Sequence, residues 1–489
     1  MVRFRRKNSR AGVDRAQRLG VSLALFCFLV ATPCVSMAHN DGAYSHDSAN
    51  VASNADWMRD IPGSYKVNQI SIPGTHDSGA FYGGDSTQTQ SMSITKQLVS
   101  GIRFLDIRLK SVGNNQLQLY HGIVSQQAKF DSVLNEVTVF LKQHPTEVVF
   151  MRVKNETNND PSPNVFQTAF LAYYKQYSAY FWSGGEENPK LGDVRGKIVV
   201  FSDGPTGDVG TSYHQLDKQD YYALTSNWDL YNKWEKVKAH IQRAATATDG
   251  RIYLNYLSGS TGSFPYFVAS GHSSPATGAA RLSTGRTTPG WKDSYPDFPR
   301  VNCFIGICTI AFEGINTLTA ALLQVTNAIP TMRYKNVGII VADFPGASLI
   351  NAVIAVNRLV PINSPITSQL NGKCLDVRGV NASPGTVVQM WSCGGAGSAN
   401  QQWYSSGAEI KSKLNNLCLD ISGSFAGDGG KVIMWTCNGA INQQWYFDGL
   451  AIRSKLNGKC LDISGGNTNN GADVVTWTCN GGANQKWEP

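Results

Sequence analysis

The stretch Ile70-Ser71-Ile72-Pro73-Gly74-Thr75-His76-Asp77-Ser78-Gly79 introduces a pattern that returns along the first part of the chain. A short apolar segment with the composition of a β-strand ends in polar residues and is followed by glycine or another small residue. The same order returns at Leu119-Tyr120-His121-Gly122. A histidine placed directly after a strand lies at the rim of a sheet, where its imidazole can exchange a proton near neutral pH.

A third segment, Phe104-Leu105-Asp106-Ile107-Arg108, lies between the two histidines. Side chains alternate between the two faces of a strand, so Asp106 and Arg108 share one face. Acid–base chemistry on a phosphate diester requires a base for the attacking hydroxyl, an acid for the leaving oxygen and a cation over the developing charge. Two histidines and an arginine at strand ends supply these groups.

Strand-like segments alternate with helix-like segments over residues 50–360. The strand candidates are Gln69–Ile72, Gly101–Leu109, Glu147–Val153, Lys197–Ser202, Arg251–Tyr256 and Val337–Ala342. From Phe130 to Leu141 apolar residues recur at steps of 3, 4 and 7, which indicates an amphipathic helix that ends before Pro145. The alternation favours a parallel sheet, and six or more strands over about 300 residues predict an α/β fold of the TIM-like (β/α) barrel type.

Polar residues cluster at the carboxyl ends of these strands, where barrel active sites are built. They are His76, Asp77, Asp106, Arg108, His121, Lys154, Asp203 and Asp343. Each has a simpler explanation when taken alone. A histidine after a strand is more often a loop residue, and Lys154 or Asp106 could be half of a structural ion pair. Two histidines, an acid and an arginine at one rim are harder to attribute to chance.

The first 38 residues hold most of the positive charge. They contain seven basic residues and one acid, Asp14, and so account for about six of the formal net charge of +8. The basic cluster precedes the apolar stretch Val21–Val30, and Ser36-Met37-Ala38 fits a signal-peptidase site. We therefore predict a signal peptide at 1–38, a linker at 39–55 and a secreted, extracellular protein. A membrane anchor would need a longer apolar run. Because most of the positive charge is removed with the predicted signal peptide, the net charge no longer favours nucleic-acid binding.

Eight cysteines remain after the predicted cleavage, and an even number in an exported protein indicates disulfides rather than zinc ligands. Six of them belong to a segment that repeats three times, and in each repeat the second cysteine follows the first by 19 positions. The predicted disulfides are Cys303–Cys308, Cys374–Cys393, Cys418–Cys437 and Cys460–Cys479. Because a repeat of about 43 residues cannot bury a core alone, the three together predict an all-β trefoil over residues 363–489.

The repeats resemble the ricin-type lectin family over residues 366–489. Each has an aspartate after its first cysteine, a tryptophan before its second, and an asparagine before a Gln-x-Trp triplet. The resemblance implies that the aspartate and asparagine bind sugar hydroxyls and that the tryptophan stacks on the sugar ring. The implied sugar-binding residues are Asp376, Gln389, Trp391 and Asn400; Asp420, Trp435 and Asn442; and Asp462, Trp477 and Asn484.

These sets also have a structural interpretation, in which the polar residues satisfy turns and the tryptophans fill the core. Gln389 stands where the other repeats have Ile433 and Val475. We therefore expect the first repeat to have retained its sugar-binding residues best. Core packing is expected for the tryptophans of the Gln-x-Trp triplets, which are Trp403, Trp445 and Trp487.

The segments around His76, Arg108 and His121 resemble the bacterial phosphatidylinositol-specific phospholipase C family, as does Leu191–Val199. The resemblance covers roughly residues 60–350, within a predicted domain at 56–360. It implies an incomplete barrel and attack by the inositol 2-hydroxyl on the neighbouring phosphorus. The products would be diacylglycerol and inositol 1,2-cyclic phosphate, followed by slower hydrolysis of the cyclic ester.

The resemblance also implies individual roles. His76 is the base, oriented by Asp343, and His121 is the acid, supported by Asp77. Arg108 stabilises the transition state where metal-dependent relatives have an acid that helps to bind calcium, so we expect no metal and no cofactor. The implied substrate contacts are Lys154, Glu156, Asp106 and Asp203.

One departure from the family concerns the headgroup. After Lys197–Ser202 the family usually has an arginine that contacts inositol hydroxyls, whereas this chain has Asp203. An acid also accepts hydrogen bonds from hydroxyls, so a polyol is compatible while specificity for unmodified inositol stays open. The aromatic residues of Ser263–Phe267 fit either a lipid interface or core packing.

Three functional hypotheses follow. The first is a secreted, monomeric phospholipase C that acts at a phospholipid membrane and binds carbohydrate through its trefoil, with glycosylphosphatidylinositol anchors as further substrates. The second is a barrel phosphodiesterase for another headgroup. The third is an inactive barrel that serves as a glycan-binding protein, and the set of catalytic residues argues against it.

Overall fold

The computed structural model describes residues 41–48, 52–61, 63, 65–156, 163–328, 332, 334–357, 363–395, 397–406, 408–448 and 450–488. The predicted signal peptide and the junction at 358–362 lie outside these residues. None of the described helices combines the length and the hydropathy needed to cross a bilayer. Within the predicted linker, Ala43 and Tyr44 are buried in the apolar core and Ser45 N donates to Phe344 O at 3.0 Å. Because these apolar side chains are packed, this part belongs to the barrel and is not a linker.

The strands before residue 360 form one large sheet and two small ones. Their bounds are β1 Ile72–Thr75, β2 Phe104–Ser111, β3 Leu117–His121, β4 Val124–Lys129, β5 Val149–Asn155, β6 Ile198–Asp203, β7 Thr211–Ser212, β8 Asp217–Gln219, β9 Ala223–Leu224, β10 Tyr253–Tyr256, β11 Ser260–Thr261, β12 Ser283–Thr287, β13 Arg300–Phe304, β14 Ile307–Ala311 and β15 Ile339–Ala342. The large sheet has the parallel order β7-β6-β5-β2-β1-β15-β10-β8. Over the part of the chain described, no pairing joins β7 to β8, so the barrel is open, as predicted.

Helices cover the outside of this sheet. Their bounds are α1 Ile94–Ser100, α2 Phe130–Gln143, α3 Pro163–Gln176, α4 Leu191–Val194, α5 Leu230–Thr246, α6 Pro265–Ser270, α7 Ile315–Ala328 and α8 Ala347–Val356. The second helix confirms the predicted amphipathic segment. Strand β2 shows how alternation divides the side chains: Leu105 and Ile107 pack outward with α2, while Phe104 packs inside the barrel. Asp106 and Arg108 therefore also face the barrel interior.

The first strand was predicted at Gln69–Ile72 but begins at Ile72 and ends at Thr75. Pro73 and Gly74 disfavour a strand by composition, yet both lie in the middle of the parallel sheet, opposite Ile340 and Val341 of β15. Close packing explains the glycine, because a Cβ atom on Gly74 would lie 2.9 Å from Phe104 Cβ. Here tertiary packing overrides the local preference.

The insertion between α6 and α7 contains the small antiparallel sheet β12-β14-β13. Cys303 at the end of β13 and Cys308 at the start of β14 form the predicted disulfide. The two strands are joined by a tight turn, with Phe304 opposite Ile307.

The region after residue 363 is all-β, as predicted for a trefoil. Its strands are β16 Asn363–Pro365, β17 Thr367–Ser368, β18 Cys374–Val377, β19 Val388–Trp391, β20 Gln402–Ser406, β21 Glu409–Ser412, β22 Cys418–Ile421, β23 Gly430–Trp435, β24 Trp445–Asp448, β25 Ala451–Ser454, β26 Cys460–Ile463, β27 Ala472–Trp477 and β28 Trp487–Glu488. The hairpins β18–β19, β22–β23 and β26–β27 have the same register, with the first cysteine opposite the exposed tryptophan. All three predicted disulfides of this region are present.

The three repeats share one apolar core. Trp403, Trp445 and Trp487 are buried in it, and the indole nitrogen of each donates to the carbonyl of the leucine that follows the first cysteine, at 2.9 Å. The expected core role of these tryptophans is confirmed.

Candidate active site

A cleft of about 270 Å³ opens at the carboxyl ends of the parallel strands. His76 follows β1 directly, His121 ends β3 and Asp343 follows β15 directly, and all three line the cleft. His76 and Asp343 converge because parallel strands bring their carboxyl ends to one rim. His121 reaches the same rim differently, because β3 runs antiparallel to β2 and returns toward it. The other lining residues are Arg108, Arg152, Lys154, Asp220, Tyr222, Ser258, Gly259, Ser260 and Pro265.

The imidazole of His76 is held at both nitrogens. Its Nδ1 lies 2.8 Å from Asp343 Oδ1, and its Nε2 lies 2.7 Å from Arg108 Nη2. A guanidinium only donates, so Nε2 must be the acceptor and Nδ1 carries the proton that is donated to Asp343. Burial lowers the pKa of His76 well below its usual value, and Arg108 lowers it further. His76 is therefore neutral, with a lone pair on Nε2.

His121 is the second histidine of the cleft, and its ring centre lies 6.2 Å from that of His76. Its Nδ1 donates to the Thr87 carbonyl at 2.7 Å and lies 3.5 Å from Asp77 Oδ2. Burial disfavours both charged forms: it lowers the pKa of His121 and raises the pKa of Asp77 to about 8. Around neutral pH the two groups therefore hold one ionisable proton as a pair.

Asp106 lies beneath the arginines and not in the cleft. Its Oδ2 accepts from Arg108 Nε at 3.2 Å and from Nη2 at 3.0 Å, and its Oδ1 accepts from Arg152 Nη1 at 3.1 Å. Burial opposes ionisation, but the two guanidinium groups hold the pKa of Asp106 well below its usual range. Asp106 was expected to contact substrate. Since it is fully buried and bonded to both arginines, it orients them instead.

Arg152 is a second arginine of the cleft that the sequence analysis did not identify. Its Nε donates to Asp203 at 2.9 Å, its Nη1 donates to the Tyr256 hydroxyl at 3.0 Å, and its guanidinium carbon lies 4.1 Å from the ring centre of Tyr213. Asp203 was expected to contact substrate, but it is the counter-ion of Arg152 and is not part of the lining. The sequence did contain a signal, because Arg152 precedes Lys154 by two residues and shares its face of β5.

Lys154 lines the cleft, and Glu156 supports it from behind. The Lys154 Nζ atom lies 2.6 Å from Glu156 Oε2, and Glu156 Oε1 accepts from the backbone N–H of Gly122 at 3.1 Å. Gly122 follows His121 directly. Glu156 therefore holds the lysine and the turn that carries the second histidine.

Asp220 and Tyr222 are further lining residues that the sequence analysis missed. They follow β8, which is only three residues long and shows no recognisable alternation. The Tyr222 side chain is 55 % exposed, so a large part of its surface is open to a ligand.

The three predicted sugar sites have nearly the same geometry. In each, the asparagine donates to the aspartate Oδ2 at 2.7–3.0 Å: Asn400 to Asp376, Asn442 to Asp420 and Asn484 to Asp462. The tryptophans Trp391, Trp435 and Trp477 are 44–45 % exposed. A glutamine to which the sequence analysis gave no role also donates to each aspartate, at 2.8–2.9 Å: Gln401, Gln443 and Gln485.

The first sugar site differs from the other two. Gln389 Nε2 donates to Asp376 Oδ1 at 2.9 Å, and Gln389 Oε1 accepts from Arg378 Nε at 2.8 Å. Both oxygens of Asp376 are thus occupied. In Asp420 and Asp462 the hydrogen bonds from the described residues use Oδ2 and leave Oδ1 for a ligand.

Comparison with known proteins finds matches in two regions of the chain. The profile described as PI-PLC X 1 matches residues 63–252, and the ricin-type beta-trefoil lectin domain matches residues 363–487. A 1-phosphatidylinositol phosphodiesterase of Listeria monocytogenes is 30 % identical over 264 residues, which cover 49 % of this chain and 80 % of that protein. The chain belongs to the phosphatidylinositol-specific phospholipase C family.

Other members of the phosphatidylinositol-specific phospholipase C family are similar over the same region. A 1-phosphatidylinositol phosphodiesterase of Staphylococcus aureus strain Newman is 28 % identical over 287 residues, covering 51 % of this chain and 90 % of that protein. The solved structure of the phosphatidylinositol-specific phospholipase C from Listeria monocytogenes is 24 % identical, with 63 % of this chain and 100 % of that chain covered and a TM-score of 0.45.

The five predicted catalytic residues are neighbours in this phosphatidylinositol-specific phospholipase C. The structure brings together all five: His76, His121, Asp77, Arg108 and Asp343. Of the four predicted substrate contacts, only Lys154 lines the cleft.

Proposed function

We propose that this chain is a secreted phospholipase C that cleaves phosphatidylinositol, and the same linkage in glycosylphosphatidylinositol, to diacylglycerol and inositol 1,2-cyclic phosphate. The proposal rests on one observation: His76, bonded to Asp343, and His121, beside Asp77, line one cleft with their imidazole centres 6.2 Å apart. In an in-line displacement the entering and leaving oxygens lie on opposite sides of phosphorus. A base and an acid at this separation can each reach one of them.

The first event is attack by the inositol 2-hydroxyl. Its oxygen bonds to phosphorus while its proton passes to Nε2 of His76. Arg108 Nη2 donates to that nitrogen in the free protein, so this one hydrogen bond must pass from His76 to a phosphate oxygen when substrate binds, while the bonds from Arg108 to Asp106 stay in place. A charge-assisted hydrogen bond to the anionic diester favours this exchange. Asp343 then stabilises the imidazolium through Nδ1–H.

The second event is departure of the glycerol oxygen. The bond from this oxygen to phosphorus breaks as His121 donates its proton to it. The negative diester favours the imidazolium form of His121, with Asp77 ionised beside it. Because the Thr87 carbonyl and Asp77 hold Nδ1–H of His121, the proton that passes to the leaving alcohol is the one on Nε2.

Arg108 stabilises the negative charge that develops on the phosphate oxygens. Two of its nitrogens are fixed by Asp106, so the guanidinium keeps its direction during the reaction. Fixed positive charge of this kind stabilises the transition state without reorganisation. We infer that no metal ion is needed at this position.

The rest of the cleft suits a polyol headgroup. Asp220 accepts from hydroxyls, Lys154 donates to them, and the ring of Tyr222 offers an apolar face. A second candidate is a modified or different headgroup, and Arg152 favours it. Its guanidinium comes from β5 and is held by Asp203, whereas the family usually has its arginine at the position of Asp203.

We also propose that the trefoil binds carbohydrate and holds the enzyme near glycosylated surfaces. In each repeat an exposed indole ring stands beside a buried, hydrogen-bonded carboxylate. Apolar ring faces and oriented acceptors are the groups that hold neutral sugars. A glycan array probed with the full-length protein identifies the sugar. Absence of binding to any glycan would contradict this part of the proposal.

The headgroup assignment is tested with vesicles of phosphatidylcholine that contain either phosphatidylinositol or sphingomyelin, in the presence of chelator. We expect diacylglycerol only from the phosphatidylinositol vesicles. Release of phosphocholine alone would contradict the assignment while leaving the histidine chemistry intact.

A further inference from the structure

The hairpin tip, residues 303–308, exposes a compact apolar surface. Phe304, Ile305 and Ile307 are 76, 83 and 52 % exposed, and the tip contains no charged residue. Single exposed apolar residues are ordinary, but contiguous ones indicate a partner. Ile305 also has a φ of 45°, which is unfavourable for a β-branched residue. A turn selected only for stability would place asparagine or glycine there.

The hairpin tip is held rigidly at its base. The Cys303–Cys308 disulfide closes it, Cys308 N donates to Thr288 Oγ1 at 2.9 Å, and Thr288 N donates to Cys308 O at 3.0 Å. Groups that are already fixed lose little conformational entropy when they bind. The tip is therefore preorganised to present its apolar side chains.

A cation–aromatic cluster formed by Trp228, Arg286 and Trp291 adjoins this base, because Arg286 lies two residues before Thr288 and Trp291 N donates to Thr287 O at 3.1 Å. The guanidinium carbon of Arg286 lies 3.9 Å from the ring centre of Trp291 and 5.4 Å from that of Trp228. Trp228 is 46 % exposed and Trp291 is 39 % exposed. Among the described residues, no acid forms an ion pair with Arg286. Tryptophan favours the membrane–water interface, and an uncompensated cation favours anionic headgroups.

The cluster is connected to the cleft through packed rings. Trp228 contacts Phe312 with ring centres 5.5 Å apart, and Phe312 contacts Phe267 at 5.3 Å. Phe267 belongs to α6, whose first residue, Pro265, lines the cleft. A surface that engages the cluster is therefore held close to the site where a headgroup enters.

We propose that the hairpin tip and the Trp228–Arg286–Trp291 cluster dock the enzyme on a bilayer that contains anionic lipid. The apolar tip inserts at the boundary between headgroups and acyl chains, and Arg286 contacts the anionic headgroups. The choice of a bilayer as the occupant rests on the proposed function, because a lipid substrate must be reached at a membrane. The charge and the aromatic residues of the cluster support the same choice independently.

The test compares full-length wild type with F304S/I305S/I307S and a matched control, V139S/V165S/V325S. The control removes three exposed valines from α2, α3 and α7. Binding is measured by co-sedimentation with vesicles of phosphatidylcholine and phosphatidylglycerol, which contain no inositol lipid. We expect the tip variant to bind on the order of 10²-fold more weakly, since three apolar side chains lose their burial. The control should bind like wild type.

Activity separates docking from chemistry. On short-chain phosphatidylinositol dispersed as monomers, the tip variant should match wild type, because the tip takes no part in catalysis. If the proposed substrate is wrong, both proteins are inactive there while the vesicle result still stands. Equal vesicle binding by wild type and tip variant would overturn the proposal. So would a dimer in sedimentation velocity that the tip variant abolishes without any change in vesicle binding, since the tip would then serve self-association.

Discussion

The barrel cleft and the trefoil sites both contain buried, hydrogen-bonded aspartates, but the cleft occurs once whereas the trefoil site occurs three times. In the cleft, side chains from β2 and β5 and from the residues that follow β1 and β15 form one continuous network, which runs from Asp343 through His76, Arg108 and Asp106 to Arg152. In the trefoil, one set of aspartate, asparagine and tryptophan occurs three times in the same register. Loss of one member should therefore abolish the chemistry of the cleft but reduce trefoil binding only in part.

Removal of either histidine should have the largest effect. We expect His76→Ala and His121→Ala each to lower kcat by about 10²–10⁴-fold on phosphatidylinositol, because the reaction loses its base or its acid. His144→Ala is the matched control, since His144 pairs with Asp56 away from the cleft lining. Near-normal turnover in a cleft variant would remove that histidine from the mechanism and break the contrast with the trefoil.

Arg108 should come next. Arg108→Ala removes the cation from the developing phosphate charge, and we expect a loss of about 10²–10³-fold in kcat. Arg108→Lys restores charge but not the paired contact with Asp106, so it should recover only part of the rate. Full recovery by lysine would mean that the direction of the guanidinium is unimportant.

The pH profile of kcat/KM should show which groups hold the protons. His76 must be neutral, and burial and Arg108 lower its pKa, so the acid limb should lie below pH 6.5. The His121–Asp77 pair must hold its proton, and activity should fall as pH rises through about 8, where the Asp77 carboxyl ionises. Asp77→Asn should move this alkaline limb to lower pH, because only the lowered pKa of His121 remains. An unchanged limb would contradict the pairing.

The two regions also differed in how far the sequence predicted them. The repeats reveal their own geometry, because three copies of one spacing identify the disulfides and the residues around each tryptophan. The barrel has one copy of each element. Strand ends located His76 and His121, but Asp203 appeared as a substrate contact because the sequence does not show that Arg152 on β5 pairs with it. The alternation of β2 put Asp106 on the correct face without indicating that both arginines lie above it.

The trefoil variants should show the smallest effects. Trp435→Ala should lower the number of monovalent sugars bound per chain from about three to two, with little change at the other sites, because the repeats bind separately. Its hydrolysis of dispersed phosphatidylinositol should stay unchanged. Gln389→Ile tests the difference of the first site, since it frees Asp376 Oδ1 and should make that site equivalent to the other two. Loss of all sugar binding after one substitution would show that the repeats are not independent.

The most direct test of the central claim is phosphorus NMR of the products formed from phosphatidylinositol vesicles in excess chelator. The two-histidine mechanism with Arg108 as the cation predicts that the resonance of inositol 1,2-cyclic phosphate appears first, that inositol phosphate follows slowly, and that both form about 10²–10⁴-fold more slowly with His76→Ala. Direct release of the acyclic phosphate, or activity that disappears in chelator and returns with calcium, would contradict it.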